Sequence, residues 1–429
     1  MPGIWVKLSL RMDERFIDLV LSRSMHSPLT ITGSLFSSPA LEKLLQHTYR
    51  WKVLNVNIAM DGTLDRLALH SVPILEELRL DRPEPTLHMI PFSGSTPMLR
   101  IVHIHGRGVQ WGISVLSNLH ELSLCNIQDG VPNVDILFQT LSNSPQLTRL
   151  RIQHTHLTRS PSPQTRIPLL CLRSLELEDL GRGILKQLLE SIEIPTSAKC
   201  VFSVELDDDG PEWASYEQLE PIGLRMAALT NVSRGTRSTL TLKDTSDEWT
   251  QTIGMTYEGW AQQHGALTAE VDALTGTNID VFEYFASQLG QGEHNPIPPT
   301  LHIINPPYRD DFGNDLKLLQ RLHKHLPNTE EILIDGPSFE FLQHAFNMLF
   351  PMDHSPRLFP RLSTLGIRGW MREWTYWLEA RQKRQNQRGG VEPLPLQTLK
   401  IEGGIISDER MEALEKLVPN LVLDRVDVK

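Results

Sequence analysis

The chain has 429 residues, of which 40% are hydrophobic and 22% are charged, and its formal net charge is −11. This composition is that of a folded protein and excludes an intrinsically disordered chain. The acidic balance argues against broad binding to nucleic acid, because neutralising phosphates requires an excess of clustered Lys and Arg.

The sequence shows no targeting segment, membrane-spanning stretch or cysteine pattern typical of a secreted or membrane protein. No N-terminal apolar run resembles a signal peptide, and no stretch approaches the roughly 20 apolar residues that span a bilayer. Cys125, Cys171 and Cys200 are too widely spaced for a disulfide framework or a C-x-x-C metal knuckle. We therefore expect an intracellular protein, in the cytoplasm, the nucleus or both, with no membrane partner.

A frame of three apolar residues, at positions 1, 4 and 6, recurs through the first half of the chain. The frames are Trp51-Leu54-Val56, Leu75-Leu78-Leu80, Leu99-Val102-Ile104, Leu119-Leu122-Leu124, Leu147-Leu150-Ile152 and Leu172-Leu175-Leu177. Their first positions are 24, 24, 20, 28 and 25 residues apart. This period is typical of leucine-rich repeats, in which each frame supplies one short strand of a parallel sheet.

The segments between the strands predict helices on an outer wall. Two groups of apolar residues recur at the 3.6-residue period: Val134, Leu137, Phe138 and Leu141, then Ile184, Leu185, Leu188 and Ile192. Neither helix can bury its apolar face alone, so we expect each to pack against the neighbouring strands.

The frame becomes irregular over 207–298 and then returns. Strands are predicted at "CVFSVEL" and "STLTLK", but this region is either a set of irregular repeats or an insertion. Regular frames follow at Thr329-Ile332-Ile334, Leu362-Leu365-Ile367 and Leu396-Leu399-Ile401, with a helix predicted around Leu342, Ala345, Phe346 and Leu349. The fold predicted is an α/β leucine-rich-repeat solenoid, with a curved parallel sheet on its concave face and helices and irregular segments outside.

Two histidines in the third frame raise the possibility of a metal centre. His103 and His105 occupy positions 5 and 7, so both project from the same face of the predicted strand. Neighbouring strands, about 4.8 Å away, would bring Asp81 and Cys125 beside His105 as third ligands. Arg79 would lie beside His103, where a cation disfavours a metal ion. A metal-dependent enzyme at His103 and His105 is therefore the alternative hypothesis.

Catalytic signatures do not support an enzyme elsewhere in the chain. The sequence has no nucleophile elbow, phosphate-binding loop or H-E-x-x-H pair. His323 and His325 are two apart on a predicted helix, where side chains point to nearly opposite sides and cannot share one ion. We expect a non-enzymatic protein with no cofactor.

Positions 3, 5 and 7 of the clearest frames form the candidate partner-binding surface. The residues selected are Asn55, Glu77, Arg79, His103, His105, Glu121, Arg149, Arg151, Glu176 and Glu178. Their charges alternate in sign along the predicted sheet, which suits a specific polar surface of another protein. Self-assembly into a structural repeat protein is a further alternative.

Three elements near the N-terminus resemble those of the fungal, basidiomycete-type F-box proteins with leucine-rich repeats. They are Pro2-Gly3-Ile4-Trp5, then Leu21-Ser22-Arg23-Ser24 with Pro28-Leu29, and His47-Thr48-Tyr49-Arg50-Trp51. The resemblance implies a substrate receptor for a ubiquitin ligase, whose repeats bind an unknown target protein. The F-box itself would precede Met1 and is not in the sequence, so we expect this chain not to bind a Skp-type adaptor.

With that resemblance, the chain divides into four predicted regions. Residues 1–28 form an entry segment like the one that follows an F-box. Residues 29–206 hold the N-terminal repeats, 207–298 the irregular repeats or insertion, and 299–429 the C-terminal repeats.

Overall fold

Short strands separated by helices and turns make up both halves of the chain, giving a mixed α/β protein with parallel sheets. The protein divides into two compact units, Met1–Phe202 (unit 1) and Ser203–Lys429 (unit 2). The computed structural model describes residues 6–9, 13–35, 38–58, 70–82, 96–106, 116–127, 134–158, 166–180, 183–206, 220, 222–223, 238–244, 252–259, 266–273, 283–284, 286–287, 289, 300–304, 318–336, 339–351, 357–369, 396–403 and 405–428.

Unit 1 is built on one run of parallel strands. Its elements are β1 (Lys7–Ser9), α1 (Glu14–Ser24), β2 (Leu29–Leu35), α2 (Ser38–Leu45), β3 (Trp51–Ile58), β4 (Glu77–Arg82), β5 (Ile101–Gly106), β6 (Glu121–Cys125), α3 (Val134–Ser142), β7 (Arg149–Gln153), β8 (Ile167–Pro168), β9 (Ser174–Glu178), α4 (Ile184–Ser191) and β10 (Ile192–Glu193). Strands β1 to β7 and then β9 pair in chain order, each parallel to the next. β8 and β10 form a small separate parallel pair.

The apolar frame explains why these segments are strands. Positions 4 and 6 alternate with polar residues, and the pairing register aligns them from strand to strand as two continuous buried rows. Leu122 is 1% exposed and Leu150 is fully buried. Position 1 lies just before the strand in most repeats and at the start of β3 in the first, and it is also buried, as at Leu99 and Leu147. All three apolar positions therefore fill the core of unit 1.

A backbone ladder extends the pairing one step before the strands. The position 2 N–H of each repeat donates to the position 2 carbonyl of the preceding repeat, from Lys52 through Lys199, at 2.7 to 2.9 Å. The same ladder recurs in unit 2, where Gln397 donates to Ser363 at 2.8 Å. Successive repeats are thus held by backbone bonds as well as by buried side chains.

The chain leaves most strands through a residue with positive φ at position 8. These residues are Gly106, Asn126, His154 and Asp179 in unit 1, and Gly336, Gly369, Gly403 and Arg425 in unit 2. The turned N–H of Gly369 donates to the carbonyl of Glu402 on the next strand, 3.2 Å away. Glycine and asparagine suit this left-handed conformation, whereas His154 and Arg425 adopt it at a steric cost.

Two of the three N-terminal elements that resemble the F-box family, Leu21–Leu29 and His47–Trp51, meet around one buried arginine. Arg50 is 2% exposed; its Nε donates to the Ser27 carbonyl at 3.0 Å, and its guanidinium donates to Ser24 Oγ at 2.6 Å. Trp51, next in the chain, is 1% exposed at the start of β3. The third element, Pro2 to Trp5, lies outside the described residues.

Unit 2 combines a second run of parallel strands with an antiparallel extension. Its elements are β12 (Ser238–Asp244), β13 (Thr252–Gly259), β14 (Ala266–Ala273), β15 (Thr300–Ile304), α5 (Leu318–His325), β16 (Glu331–Asp335), α6 (Phe339–Leu349), β17 (Thr364–Arg368), β18 (Thr398–Glu402), β19 (Ile405–Ile406), α7 (Asp408–Leu417), β20 (Asn420–Asp424) and β21 (Asp427–Val428), while β11 (Lys199–Leu206) spans the boundary between the units. Strands β12, β15, β16, β17, β18 and β20 pair in parallel. β13 pairs antiparallel with β12 and with β14, and β19 pairs with β21.

The predicted helices are largely confirmed. The apolar residues predicted to share a face of α3 are at most 5% exposed, and those of α6 at most 3%. In α4 the prediction runs one residue too far, because the helix ends at Ser191 and Ile192 begins β10, where it is nevertheless buried. None of the described helices is long and apolar enough to cross a membrane.

Candidate partner-binding surface

The sequence-selected surface residues all lie on one face of the unit 1 sheet. We call this surface, formed by positions 3, 5 and 7 of β3 to β7 and β9, the unit-1 face. Its three rows, read from strand to strand, are Val53-Glu77-Ile101-Glu121-Arg149-Ser174, Asn55-Arg79-His103-Ser123-Arg151-Glu176 and Asn57-Asp81-His105-Cys125-Gln153-Glu178. The central row is the most polar part of the face.

Ion pairs connect the charged side chains of the unit-1 face. Arg79 contacts Glu77 on its own strand. Arg151 lies 3.1 Å from Glu176 on the neighbouring strand. These side chains are between 23% and 44% exposed, so water screens the pairs and each contributes little to stability. Their main effect is to hold long side chains in defined positions.

Arg149 and the two ends of the face complete the charge pattern. Arg149 lies 3.6 Å from Glu121 on β6. The side chains of Glu178, at one end, and of the exposed Asn55, at the other, make no hydrogen bond or ion pair with the described residues. The face therefore carries three paired arginines and leaves polar groups open at both ends.

His105 is held by hydrogen bonds on both ring nitrogens. Nδ1 lies 2.7 Å from Asp81 Oδ1, and Asn126 Nδ2 lies 2.7 Å from Nε2. An amide NH₂ only donates, so Nε2 accepts and Nδ1–H donates to the carboxylate. This arrangement holds the ring of His105 in one orientation. A metal ion would have to displace one of these two partners.

His103 lies deeper in the face than His105. Its side chain is 25% exposed, with Nε2 3.6 Å from Glu121 Oε2. Burial lowers the pKa of His103, and the neighbouring positive charge of Arg79 lowers it further against the opposing effect of Glu121. His103 is therefore neutral at pH 7 and sits beside a guanidinium.

The structure brings Asp81 and Cys125 to either side of His105, as the sequence predicts, but with other contacts. Asp81 binds His105 directly. Cys125 is a free thiol whose Sγ lies 3.6 Å from Gln153 Oε1. Among the described residues, no group of three or more His, Cys, Asp and Glu side chains is arranged to hold a metal ion.

The other predicted histidine pair is separated, as expected from helical geometry. His325 Nε2 lies 3.1 Å from Glu283, whereas His323 Nδ1 accepts a 3.1 Å hydrogen bond from the backbone N–H of Phe359. The two rings, both on α5, thus have different partners in other parts of the chain. His323 is a partly buried structural residue.

Two side chains that contact residues of this surface, Asn126 and Gln153, were not among those selected from the sequence. Asn126 orients His105 from position 8, where asparagine favours the positive φ of 56°. Gln153, 7% exposed, lies at position 7 of β7 and contacts Cys125. The left-handed preference of asparagine predicts the turn at Asn126, but the contact to His105 requires the strand register.

Unit 2 carries a corresponding surface, the unit-2 face, formed by positions 3, 5 and 7 of β15 to β18 and β20. Its central row runs His302-Leu333-Gly366-Lys400-Val422, and its last row runs Ile304-Asp335-Arg368-Glu402-Asp424. Arg368 contacts Asp335 at 3.3 Å and also Glu402. This face mixes apolar and charged residues, unlike the central row of the unit-1 face.

No protein-family model matches the sequence. No curated protein matches it either. The interpretation of both faces therefore depends on the residues, contacts and charges described above.

Proposed function

We propose that this chain is a leucine-rich-repeat solenoid that binds another protein through the unit-1 face, its concave surface, and catalyses no reaction. The observation that carries the proposal is the strand register. It aligns polar positions 3, 5 and 7 on one side of the sheet while apolar positions 4 and 6 fill the core. A broad polar surface on rigid strands suits recognition of a folded partner.

The ion pairs of the unit-1 face favour binding without a large ordering cost. Arg79 and Arg151 are held by Glu77 and Glu176 in the free protein. Side chains that already occupy defined positions lose less conformational entropy on binding. Because the pairs are partly exposed, a partner carboxylate can replace either glutamate at low cost.

The role proposed for this chain is to recognise a target protein for ubiquitylation. Its support is the resemblance of Leu21–Leu29 and His47–Trp51 to elements of the fungal F-box family. In this setting the chain is the substrate-recognition part of an F-box-type receptor, and the partner of the unit-1 face is a protein marked for degradation.

Affinity capture with proteasome activity blocked tests the proposal. The tagged chain is compared with the double variant Arg79→Glu/Arg151→Glu, which reverses two charges of the unit-1 face. The matched control is Arg15→Glu/Lys186→Glu, which reverses two charges on α1 and α4. We expect the face variant to lose its captured proteins and the control to retain them.

Two results would contradict this proposal. Equal capture by the face variant and the native chain would remove the unit-1 face as the binding surface. Captured proteins whose abundance does not change when the proteasome is blocked would remove the ubiquitin pathway. Light scattering on the same samples tests the alternative that the chain assembles only with copies of itself.

A further inference from the structure

A cavity opens in the unit-2 face where β17 presents a glycine. It has a volume of about 300 Å³, and the residues that line it include Leu333, Gly366, Lys400 and Val422. Leu333 and Lys400 are the direct neighbours of Gly366 in the central row. The missing side chain thus leaves a gap in the middle of the row.

Gly366 is needed here for space rather than for its backbone conformation. Its φ is not positive, so an L-residue could adopt the same backbone. A Cβ at this position, however, would lie 2.3 Å from Leu333 Cδ2. Leu333 therefore leans across the glycine and forms an apolar wall of the cavity.

Lys400 lies across the same gap from the other side. Its Nζ reaches Glu331 Oε1 at 2.8 Å, which links β18 to β16 past the intervening β17. The Lys400 side chain is 48% exposed, and an ion pair at this exposure is easily exchanged with solvent. The aliphatic stem of Lys400 is thus a movable wall of the cavity.

The charges around the cavity leave one carboxylate without a partner. Two arginines, Arg368 and Arg425, are balanced by two carboxylates: Arg368 contacts Asp335 and Glu402, and Arg425 lies 3.6 Å from Glu402. Asp424 is exposed, and its side chain makes no hydrogen bond or ion pair with the described residues. His302 adds no positive charge at neutral pH, because burial lowers its pKa. The edge of the cavity at Asp424 therefore favours a cation.

We propose that this cavity holds one large apolar side chain of a partner peptide, with an adjacent Lys or Arg of that peptide paired to Asp424. A volume near 300 Å³ lies at the lower end of the range for ligand cavities and suits a single side chain. Val422, 41% exposed, supplies apolar surface for that side chain. The inference deepens the proposed protein-binding function, on which it rests, and adds a second contact on the unit-2 face.

Selection from a random peptide library displayed on phage, with the full chain as bait, tests this site. We expect the selected peptides to share an apolar residue beside Arg or Lys. Synthetic copies should bind Gly366→Leu at least about tenfold more weakly, because the new side chain fills the cavity. They should bind Asp424→Lys about threefold or more weakly. Glu415→Lys, an exposed charge reversal on α7, is the control and should bind normally.

A library that yields no binding peptide, or peptides without the apolar–basic pair, would overturn the inference. Equal affinity for the native chain and Gly366→Leu would do the same. Thermal melting checks that each variant folds. If Gly366→Leu does not fold, Val422→Glu replaces it, because this exposed position places a charge on the apolar wall.

The proposed function and this inference fail in different ways. Capture of cellular proteins that depends on Arg79 and Arg151, together with no selected peptide, would overturn the cavity alone. Selected peptides that depend on Gly366 and Asp424, together with capture that ignores Arg79 and Arg151, would support the cavity and overturn the unit-1 face.

Discussion

Arg50 shows how a single charged residue organises the start of the chain. Its guanidinium is buried between the end of α1 and the start of β3 and donates to Ser24 and Ser27. Burial lowers the pKa of Arg50, yet an arginine keeps its charge at any physiological pH. Hydrogen bonds from a charged group each contribute about 1.5 to 3 kcal/mol. The resemblance to F-box proteins thus includes a residue with a structural task.

We predict that Arg50→Ala lowers the free energy of unfolding by about 2 to 4 kcal/mol, because Ser24 Oγ and the Ser27 carbonyl lose their donor. Arg50→Lys should cost less than Arg50→Ala, because a lysine ammonium can still donate to one of the two oxygens that the guanidinium binds. Arg15→Ala, exposed on α1, is the control and should change stability by less than about 0.5 kcal/mol. Urea denaturation gives all three values, and a cost for Arg50→Ala no larger than the control would contradict the assignment.

At the scale of the strand, alternate residues perform separate tasks. Leu122 in β6 is 1% exposed within the core row. Arg149, at position 3 of β7, has 54% of its side chain exposed and one long ion pair. A substitution at position 4 or 6 therefore acts on packing, and one at an exposed position 3, 5 or 7 acts on the face.

We predict that Leu122→Ala lowers the free energy of unfolding by about 2 to 5 kcal/mol, because it deletes buried methyl groups and leaves a cavity. Arg149→Ala should cost less than about 1 kcal/mol, because its ion pair is exposed. Thermal melting followed by circular dichroism compares the two. Similar losses for both variants would show that the core and face rows are wrongly assigned.

The elements predicted best are those whose local pattern repeats. Strands β3 to β7 and β9 lie where the frame predicts them, because the two-residue alternation of apolar positions is visible in each short segment. β20 was missed, although Val418, Leu421 and Leu423 follow the same frame. The antiparallel pairing of β12, β13 and β14 was also missed, because pairing direction is decided by partners distant in the sequence.

The candidate sites show the same limit at the scale of contacts. The two-residue spacing along each strand predicts that the selected residues share one side of the sheet, and the strand register confirms it. The partners of those side chains do not follow from spacing, as the bond from Asn126 to His105 shows. The cavity at Gly366 depends on Lys400 reaching Glu331, which is 69 residues earlier. The spacing of apolar residues along the sequence does not predict such a contact.

At the scale of the whole molecule, partly buried histidines link stability to pH. Burial lowers the pKa of His47 and His103 in unit 1 and of His302 and His323 in unit 2. In the unfolded chain these groups return to an ordinary pKa near 6.5. As the pH falls below that value, the unfolded chain takes up protons before the folded chain does. The contribution of these histidines to stability is therefore complete above about pH 6.5 and is lost as the pH falls through their lowered folded pKa values.

We predict that the melting temperature falls between pH 7.5 and pH 5.5 and that His323 contributes part of this slope. Protonation of His323 removes the acceptor for the Phe359 N–H. In His323→Asn, the amide oxygen can accept that bond at any pH, so the melting temperature should depend less on pH. Melting curves at matched ionic strength measure both slopes, and an unchanged slope in the variant would contradict the role of His323.

The separation of core rows from face rows also determines how such a chain can change over time. Positions 4 and 6 carry the architecture, so they tolerate only exchanges among Leu, Ile and Val of similar volume. The exposed side chains at positions 3, 5 and 7, such as Arg149, contribute little to stability, so mutations there are nearly neutral for folding. If the proposed function holds, the binding surface can therefore change in sequence much faster than the core. For the same reason, a library randomised on the unit-1 face is a practical source of new binders.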